Sequence, residues 1–257
     1  MKKVGVWEDA LNQFLSGWLK KSEVVGVLVC GSYVTGSPSE HSDIDVHIIL
    51  ADTVKWRERG DVFVNGYLVE YFANPFRSIK GYFEEDFKEG SYQAPIMFVT
   101  GRVLLDKNGV VRKLQKLART YLKKRFKSMG LVACELKKYS LWDNLDNFED
   151  AFTRKINIPY LYFNYLRQVY EAYSYYLHYP ASSVDKTERL LSDPVIRKKY
   201  LLTDFPDKKF AQLFLSSLSV EGPKKMLKHL NQLTSYVLIR MGGFSVDGWK
   251  VRSACNP

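Results

Sequence analysis

The spacing of apolar residues along this chain changes near residue 108. Before that point they form short runs bounded by turn residues, which predict β-strands over residues 24–30 and 42–50. After it they recur every three or four residues, which predicts helices over 110–126, 131–152, 160–179, 208–218 and 224–241. We therefore expect an α/β (α+β) domain with a small mixed sheet over residues 1–108, followed by an all-α helical bundle over residues 109–257.

Three further segments of the first part have patterns of their own. Residues 1–21 predict an amphipathic helix that packs on the sheet, because apolar side chains fall at helical spacing: Val6, Ala10, Phe14 and Trp18. Residues 62–64 and 67–72 flank the dipeptide Asn65-Gly66, which predicts a β-hairpin with a tight turn. The side chains of residues 95–105 alternate in polarity enough to predict a further strand pair or extended segment.

The ends of the first two strands carry residues suited to binding phosphate and a cation. Gly31 permits a tight turn whose backbone N–H groups can reach a phosphate, and the Ser32 hydroxyl adds a donor. Because strand side chains alternate between faces, Asp43 and Asp45 leave the same face while their apolar neighbours enter the core. Two like charges on one pleat repel each other unless a cation pairs with them. The pattern predicts a divalent metal site beside a phosphate site.

Glu70 is the candidate for a third carboxylate. It lies in the middle of an apolar strand, where an unpaired buried charge would cost several kcal/mol. Two interpretations are open: Glu70 faces the metal or the acceptor, or it lies on a wet face of the sheet. His47 shares the face of the two aspartates, but a lone strand histidine is more typical of a packed, hydrogen-bonded residue, and His41 is expected in an exposed loop.

The stretch GSYVTGSPSEHSDIDVHIIL resembles the DNA polymerase beta-like nucleotidyltransferase superfamily, and within it the minimal and aminoglycoside-type nucleotidyltransferases. The resemblance covers about the first hundred residues and implies magnesium-dependent attack of an acceptor oxygen on the α-phosphorus of a nucleoside triphosphate. It implies that Gly31 and Ser32 hold the phosphates, that Asp43 and Asp45 bind Mg²⁺, and that Glu70 is a metal ligand or the general base. Ser42 either supports Asp43 or is a turn serine.

We expect transfer of a nucleoside monophosphate, AMP in particular, to a hydroxyl of a small molecule such as an antibiotic. A protein or RNA nucleotidyltransferase of the antitoxin type and a non-catalytic nucleotide-binding module are the alternatives. The helical half is expected to close the acceptor side. One of its helices places four acidic residues on one face, either for a cationic acceptor or as a solvated surface: Asp143, Asp146, Glu149 and Asp150. The aromatic residues of 160–179 could line a pocket, although a bundle core explains them better.

Composition adds only a few constraints. The 257 residues carry a formal net charge of +10, which favours anionic partners such as nucleotides, but the basic residues are scattered and leave a nucleic-acid partner open. Neither a leader sequence nor an apolar run of membrane-spanning length is present, so we expect a cytoplasmic protein. The spacing of Cys30, Cys134 and Cys255 predicts neither a zinc site nor a disulfide framework.

Overall fold

The computed structural model describes residues 5–180 and 182–252. It divides into two compact units, one formed by residues 1–124 with 199–201 and the other by residues 125–198 with 202–257. None of the helices in the described residues combines the length and apolar character needed to cross a bilayer. The described cysteines Cys30 and Cys134 are free thiols, and Cys255 lies outside the described residues.

Within the described residues, the first unit contains five strands and five α-helices. The strands are β1 (Val24–Cys30), β2 (Ile44–Leu50), β3 (Glu58–Val64), β4 (Tyr67–Pro75) and β5 (Arg102–Asp106). The helices are α1 (Trp7–Trp18), α2 (Ser32–Thr35), α3 (Phe76–Lys88), α4 (Gln93–Thr100) and α5 (Val110–Leu122). Residues 7–18 confirm a helix within the predicted segment 1–21, of which residues 1–4 lie outside the described residues.

The sheet has the strand order β3-β4-β2-β1-β5. Strands β2 and β4 are parallel, and the other three pairings are antiparallel, which confirms the predicted small mixed sheet. The hairpin between β3 and β4 turns at Asn65 and Gly66, whose φ angles of 51° and 81° are those of a type I′ turn. This tight turn fixes which residues of β3 and β4 lie opposite each other.

Each face of the sheet is covered by helices. Helix α1 packs on one face, against alternate residues of the central strands such as Val27, Val46 and Ile48. Helices α3, α4 and α5 cover the other face, where Leu28 and Ile49 join the side chains of these helices in a second buried cluster. The sheet is therefore a middle layer, and its central strands are apolar on both faces.

Two expectations about the first unit differ from the structure. Residues 95–100 belong to helix α4 and not to a strand, because their nearly continuous apolar sequence has no period that distinguishes helix from strand; residues 102–106 do form β5. Helix α5 groups with the sheet, so the compact units divide after residue 124 and not after residue 108. A Cβ atom on Gly26 of β1 would lie 2.4 Å from Cγ2 of Val111, which shows how closely α5 packs. The functional roles expected of the two domains stay predictions.

The second unit is helical, as the sequence predicts. Its helices are α6 (Leu131–Arg154), α7 (Ile158–Tyr176), α8 (Val184–Ser192), α9 (Pro194–Lys199), α10 (Lys208–Leu218) and α11 (Pro223–Arg240). Most of the tyrosines of α7 lie in its core, where their hydroxyl groups find partners: Tyr162 donates to the carbonyl of Ser217, and Tyr165 donates to that of Leu141. These buried tyrosines form the bundle core, whereas Tyr176 at the end of α7 lines a surface cavity.

Candidate functional site

The turn after β1 is shaped by the close approach of a carboxylate. Gly31 has φ of 74° and ψ of −160°, a conformation that residues with a Cβ atom rarely adopt. A Cβ atom built at this position would lie 1.8 Å from Oδ2 of Asp45. Gly31 is therefore required twice, by its backbone angles and by the space that Asp45 occupies. Ser32, the other predicted phosphate-binding residue, follows as the first residue of α2.

Strand β2 delivers two acidic side chains to the edge of the core. Ile44 and Val46 are fully buried on the α1 face. The side chain of Asp45, between them, projects from the opposite face and is partly exposed. Asp43 immediately precedes the strand and is also partly exposed. The predicted alternation is confirmed.

Glu70 reaches the same place from β4. The parallel register of β2 and β4 sets Glu70 directly beside Asp45. One carboxylate oxygen from each of Asp43, Asp45 and Glu70 lies within 4.8 Å of the others. We call these three residues the acidic cluster. The side chain of Glu70 is 17% exposed, so of the two interpretations of this residue the structure favours the one in which it faces the cluster.

The acidic cluster changes the properties of its neighbour Cys30. This thiol is buried at the end of β1, and its Sγ lies 3.8 Å from the backbone oxygen of Asp45, to which it can donate. Burial raises the pKa of Cys30 well above its ordinary value, and the charges of Asp45, Asp43 and Glu70 raise it further. Burial and the neighbouring negative charges together keep this thiol protonated, and the same charges attract cations.

The chemistry of these donors fits a magnesium ion. Mg²⁺ prefers hard oxygen ligands, and it commonly takes one or two protein carboxylates together with phosphate oxygens and water. The acidic cluster offers such oxygens beside the Gly31 turn. Asp43, Asp45 and Glu70 are therefore the residues that could hold the ion.

Arg59 is a member of this region that the sequence reading missed. Its Nη2 donates to Oε1 of Glu70 at 2.5 Å. In the antiparallel hairpin, Arg59 lies opposite Phe72 and Asp61 lies opposite Glu70. Counting back from the Asn65-Gly66 turn gives this register. The sequence therefore did contain the information that Arg59 and Asp61 lie beside Phe72 and Glu70.

Ser42 and the two nearby histidines have other surroundings. Ser42 Oγ accepts from the backbone N–H of Ser39 at 2.8 Å, which is the local bonding typical of a turn serine, and its predicted support of Asp43 stays a prediction. His47 is buried between the rings of Phe72 and Phe98, and burial lowers its pKa to about 4. It is packed, as predicted, but the predicted hydrogen bond is not formed, because apolar rings surround it and neither of its ring nitrogens has a partner among the described residues. His41 is exposed.

Three of the four acidic side chains on α6 have a hydrogen-bond or ion-pair partner nearby. Asn147 donates to Asp143, Asn231 donates to Glu149, and Arg154 forms an ion pair with Asp150. Asp146 is exposed. These contacts are typical of a solvated helix face.

Comparison with known proteins agrees with the geometry of the first unit. Residues 11–101 match the family model of the nucleotidyltransferase domain, and this segment contains all the predicted site residues. The match confirms the resemblance and the enzyme class: the segment is a nucleotidyltransferase domain. Among curated proteins, none shows significant sequence similarity to the chain. One solved structure, a nucleotidyltransferase-like protein from Exiguobacterium sibiricum 255-15, aligns with 92% of this chain and 77% of its own at 14% identity and a TM-score of 0.45.

Proposed function

We propose that the protein is a magnesium-dependent enzyme that transfers a nucleoside monophosphate from a nucleoside triphosphate to an acceptor hydroxyl, with the acidic cluster as its catalytic centre. The observation that carries this proposal is the meeting of three carboxylates, Asp43 just before β2, Asp45 in β2 and Glu70 in the parallel strand β4, with one oxygen of each within 4.8 Å of the others. Such crowding of like charge destabilises a sheet unless a cation compensates it. The nucleotidyltransferase domain that contains the cluster supplies the reaction class.

Each residue of the site has a role that follows from its position. The turn at Gly31 and the hydroxyl of Ser32 bind the phosphates, while Asp43 and Asp45 ligate the metal. Bound Mg²⁺ neutralises charge on the triphosphate and on the departing pyrophosphate. The acceptor oxygen forms a bond to the α-phosphorus, and the bond from that phosphorus to the bridging oxygen breaks. Glu70 takes the proton of the acceptor hydroxyl, or it completes the metal site and the proton passes to solvent water.

For the substrates we propose ATP as the donor and a small hydroxyl-bearing molecule such as an antibiotic as the acceptor. The support is the resemblance of the stretch around Gly31 and Asp45 to the aminoglycoside-type nucleotidyltransferases. A protein or RNA acceptor is the alternative, and the same assay distinguishes it.

The test is a screen for pyrophosphate release. Each of the four nucleoside triphosphates is incubated with Mg²⁺ and with aminoglycosides, lincosamides, small RNAs or candidate proteins, and products are identified by mass. We expect release that needs one acceptor, adds the mass of a nucleoside monophosphate to it, and disappears in Asp45→Asn. Release that persists unchanged in Asp45→Asn would refute the assignment of the centre.

A further inference from the structure

The guanidinium of Arg59 covers the third carboxylate of the acidic cluster. Besides donating to Glu70, it lies over the ring of Phe72, with its central carbon 4.8 Å from the ring centroid. The hydrogen bond and the charge of Glu70 raise the pKa of Arg59 above its ordinary value. The side chain of Arg59 is 67% exposed, so this is a surface ion pair, which solvent screens and other ions can disrupt.

A divalent cation and Arg59 compete for the same carboxylate. Glu70 has an oxygen close to those of Asp43 and Asp45, where a metal would bind, and it also accepts from Arg59. In the metal-free protein the guanidinium supplies positive charge to the crowded carboxylates. When a cation occupies the acidic cluster, the attraction between Glu70 and Arg59 decreases because the cation neutralises part of the carboxylate charge.

We propose that Arg59 holds Glu70 in the metal-free protein and then binds the phosphates of the incoming nucleotide. The released guanidinium stays near the site, because the ring of Phe72 attracts it and because Arg59, Phe72 and Glu70 share one face of the sheet. Its planar fork of donors matches the oxygens of a phosphate group. The inference rests on the proposed function and adds a nucleotide-binding residue and a reason for ordered binding.

The experiment measures metal and nucleotide binding separately. Binding of Mn²⁺ without nucleotide is followed by electron paramagnetic resonance of the free ion, in wild type, Arg59→Met and Arg57→Met. Arg57 is the matched control, because it is an exposed arginine next to the same strand whose guanidinium contacts Tyr82. Removing the competing cation should tighten Mn²⁺ binding up to about fivefold in Arg59→Met, the equivalent of one exposed ion pair, and should leave it unchanged in Arg57→Met.

Nucleotide binding should change in the opposite direction. At saturating Mg²⁺, the affinity of Arg59→Met for a non-hydrolysable ATP analogue should fall roughly tenfold, as expected for one lost charge-assisted contact. Unchanged Mn²⁺ affinity, or unchanged analogue affinity, in Arg59→Met would overturn the inference. Failure of the proposed function would give a different result. Wild type and Asp45→Asn would then bind Mn²⁺ equally, or neither would bind it.

Discussion

The Cβ atom that Gly31 lacks would lie 1.8 Å from Oδ2 of Asp45. The Gly31 turn and the Asp45 carboxylate therefore fit together only when the turn residue is glycine. Gly31→Ala should strain the backbone by about 1–3 kcal/mol and displace the Asp45 carboxylate. A displacement on the order of 1 Å in a catalytic group can lower turnover about 100-fold. Turnover and the free energy of unfolding are the measurements.

Gly36→Ala is the matched control for this prediction. Gly36 also has a positive φ, of 75°, but a Cβ atom there meets no other atom within 4 Å. We expect a stability loss of about 1 kcal/mol and near-normal turnover in Gly36→Ala. Equal turnover in Gly31→Ala and Gly36→Ala would contradict the role assigned to the Gly31 turn.

Asp43→Asn and Asp45→Asn should each abolish magnesium-dependent turnover while leaving the protein folded and slightly stabilised. Each change removes a proposed metal ligand and also one member of a group of repelling charges. Pyrophosphate release measures the loss of turnover, and a urea denaturation curve measures the stability. Asp61→Asn, in the same sheet but outside the acidic cluster, should retain turnover. Wild-type turnover in either cluster variant would remove that residue from the site.

Glu70→Gln should distinguish a metal ligand from a general base. Because the Glu70 oxygen lies within 4.8 Å of those of both aspartates, we expect a ligand, so both the affinity for magnesium-nucleotide and turnover should fall. A general base would instead leave affinity intact and lower turnover roughly 100-fold. If Glu70→Gln behaves like wild type at every pH, Glu70 is a strand residue without a role in the reaction.

Ser32→Ala should weaken nucleotide binding by about 1 kcal/mol, or roughly fivefold, because one hydroxyl donor is lost and the backbone donors of the turn remain. Equilibrium titration with a non-hydrolysable ATP analogue measures the change. Ser39→Ala removes a similar hydroxyl that contacts Ser42 in the loop, and it should not alter the affinity. An affinity of Ser32→Ala equal to that of wild type would make Ser32 a turn residue only.

Asp207 should be a major stabilising residue of the helical unit. It caps α10 by accepting from the backbone N–H of Phe210, and its carboxylate also accepts from the hydroxyls of Tyr173 and Tyr236. Asp207→Ala should cost about 2–3 kcal/mol, since it removes the cap and leaves hydroxyl groups unpaired. Urea denaturation measures the cost. The exposed Asp185, in the first turn of α8, is the control, and Asp185→Ala should change stability by less than about 0.5 kcal/mol.

The same carboxylate should make stability depend on pH. Burial opposes its ionisation, but hydrogen bonds from Tyr173, Phe210 and Tyr236, with the charge of Arg240, outweigh burial and lower its pKa. Because the pKa is lower in the folded protein, the stabilisation is present above the unfolded value of about 3.9 and is lost as pH falls through the folded value. The drop in urea midpoint between pH 5 and pH 2 should be smaller in Asp207→Asn. An equal drop would contradict this assignment.

The sequence predicted those elements whose local residue pattern is compatible with only one type of secondary structure. Strand β1 has the predicted bounds, and the Asn65-Gly66 turn forms because only a type I′ geometry suits that dipeptide between two strands. Helix α10 also has its predicted bounds, since its apolar side chains recur with helical spacing. Helices α3 and α8 were missed although each has an apolar stripe, because Gly81 interrupts the helical pattern of α3 and α8 is only nine residues long.

The contacts of the site were harder to predict because they depend on which strands become neighbours. Asp43 and Asp45 could be placed on one face from alternation alone. The proximity of Glu70 to Asp45 requires the parallel pairing of β2 with β4, which no local pattern contains. The ion pair of Arg59 needs the hairpin register and a side-chain conformation as well.

The parallel pairing of β2 and β4 makes the site intolerant of changes in chain length. A single residue inserted into β4 ahead of Glu70, with the rest of the pairing kept, would turn this carboxylate towards α1 and bring an apolar neighbour to the acidic cluster. Two inserted residues would restore the face but shift the carboxylate along the strand by about 6.6 Å, beyond reach of a shared ion. The loop from residue 51 to residue 57 lies outside every strand and can change length without this effect. Natural length variation in this domain should therefore accumulate in that loop and be excluded from the hairpin.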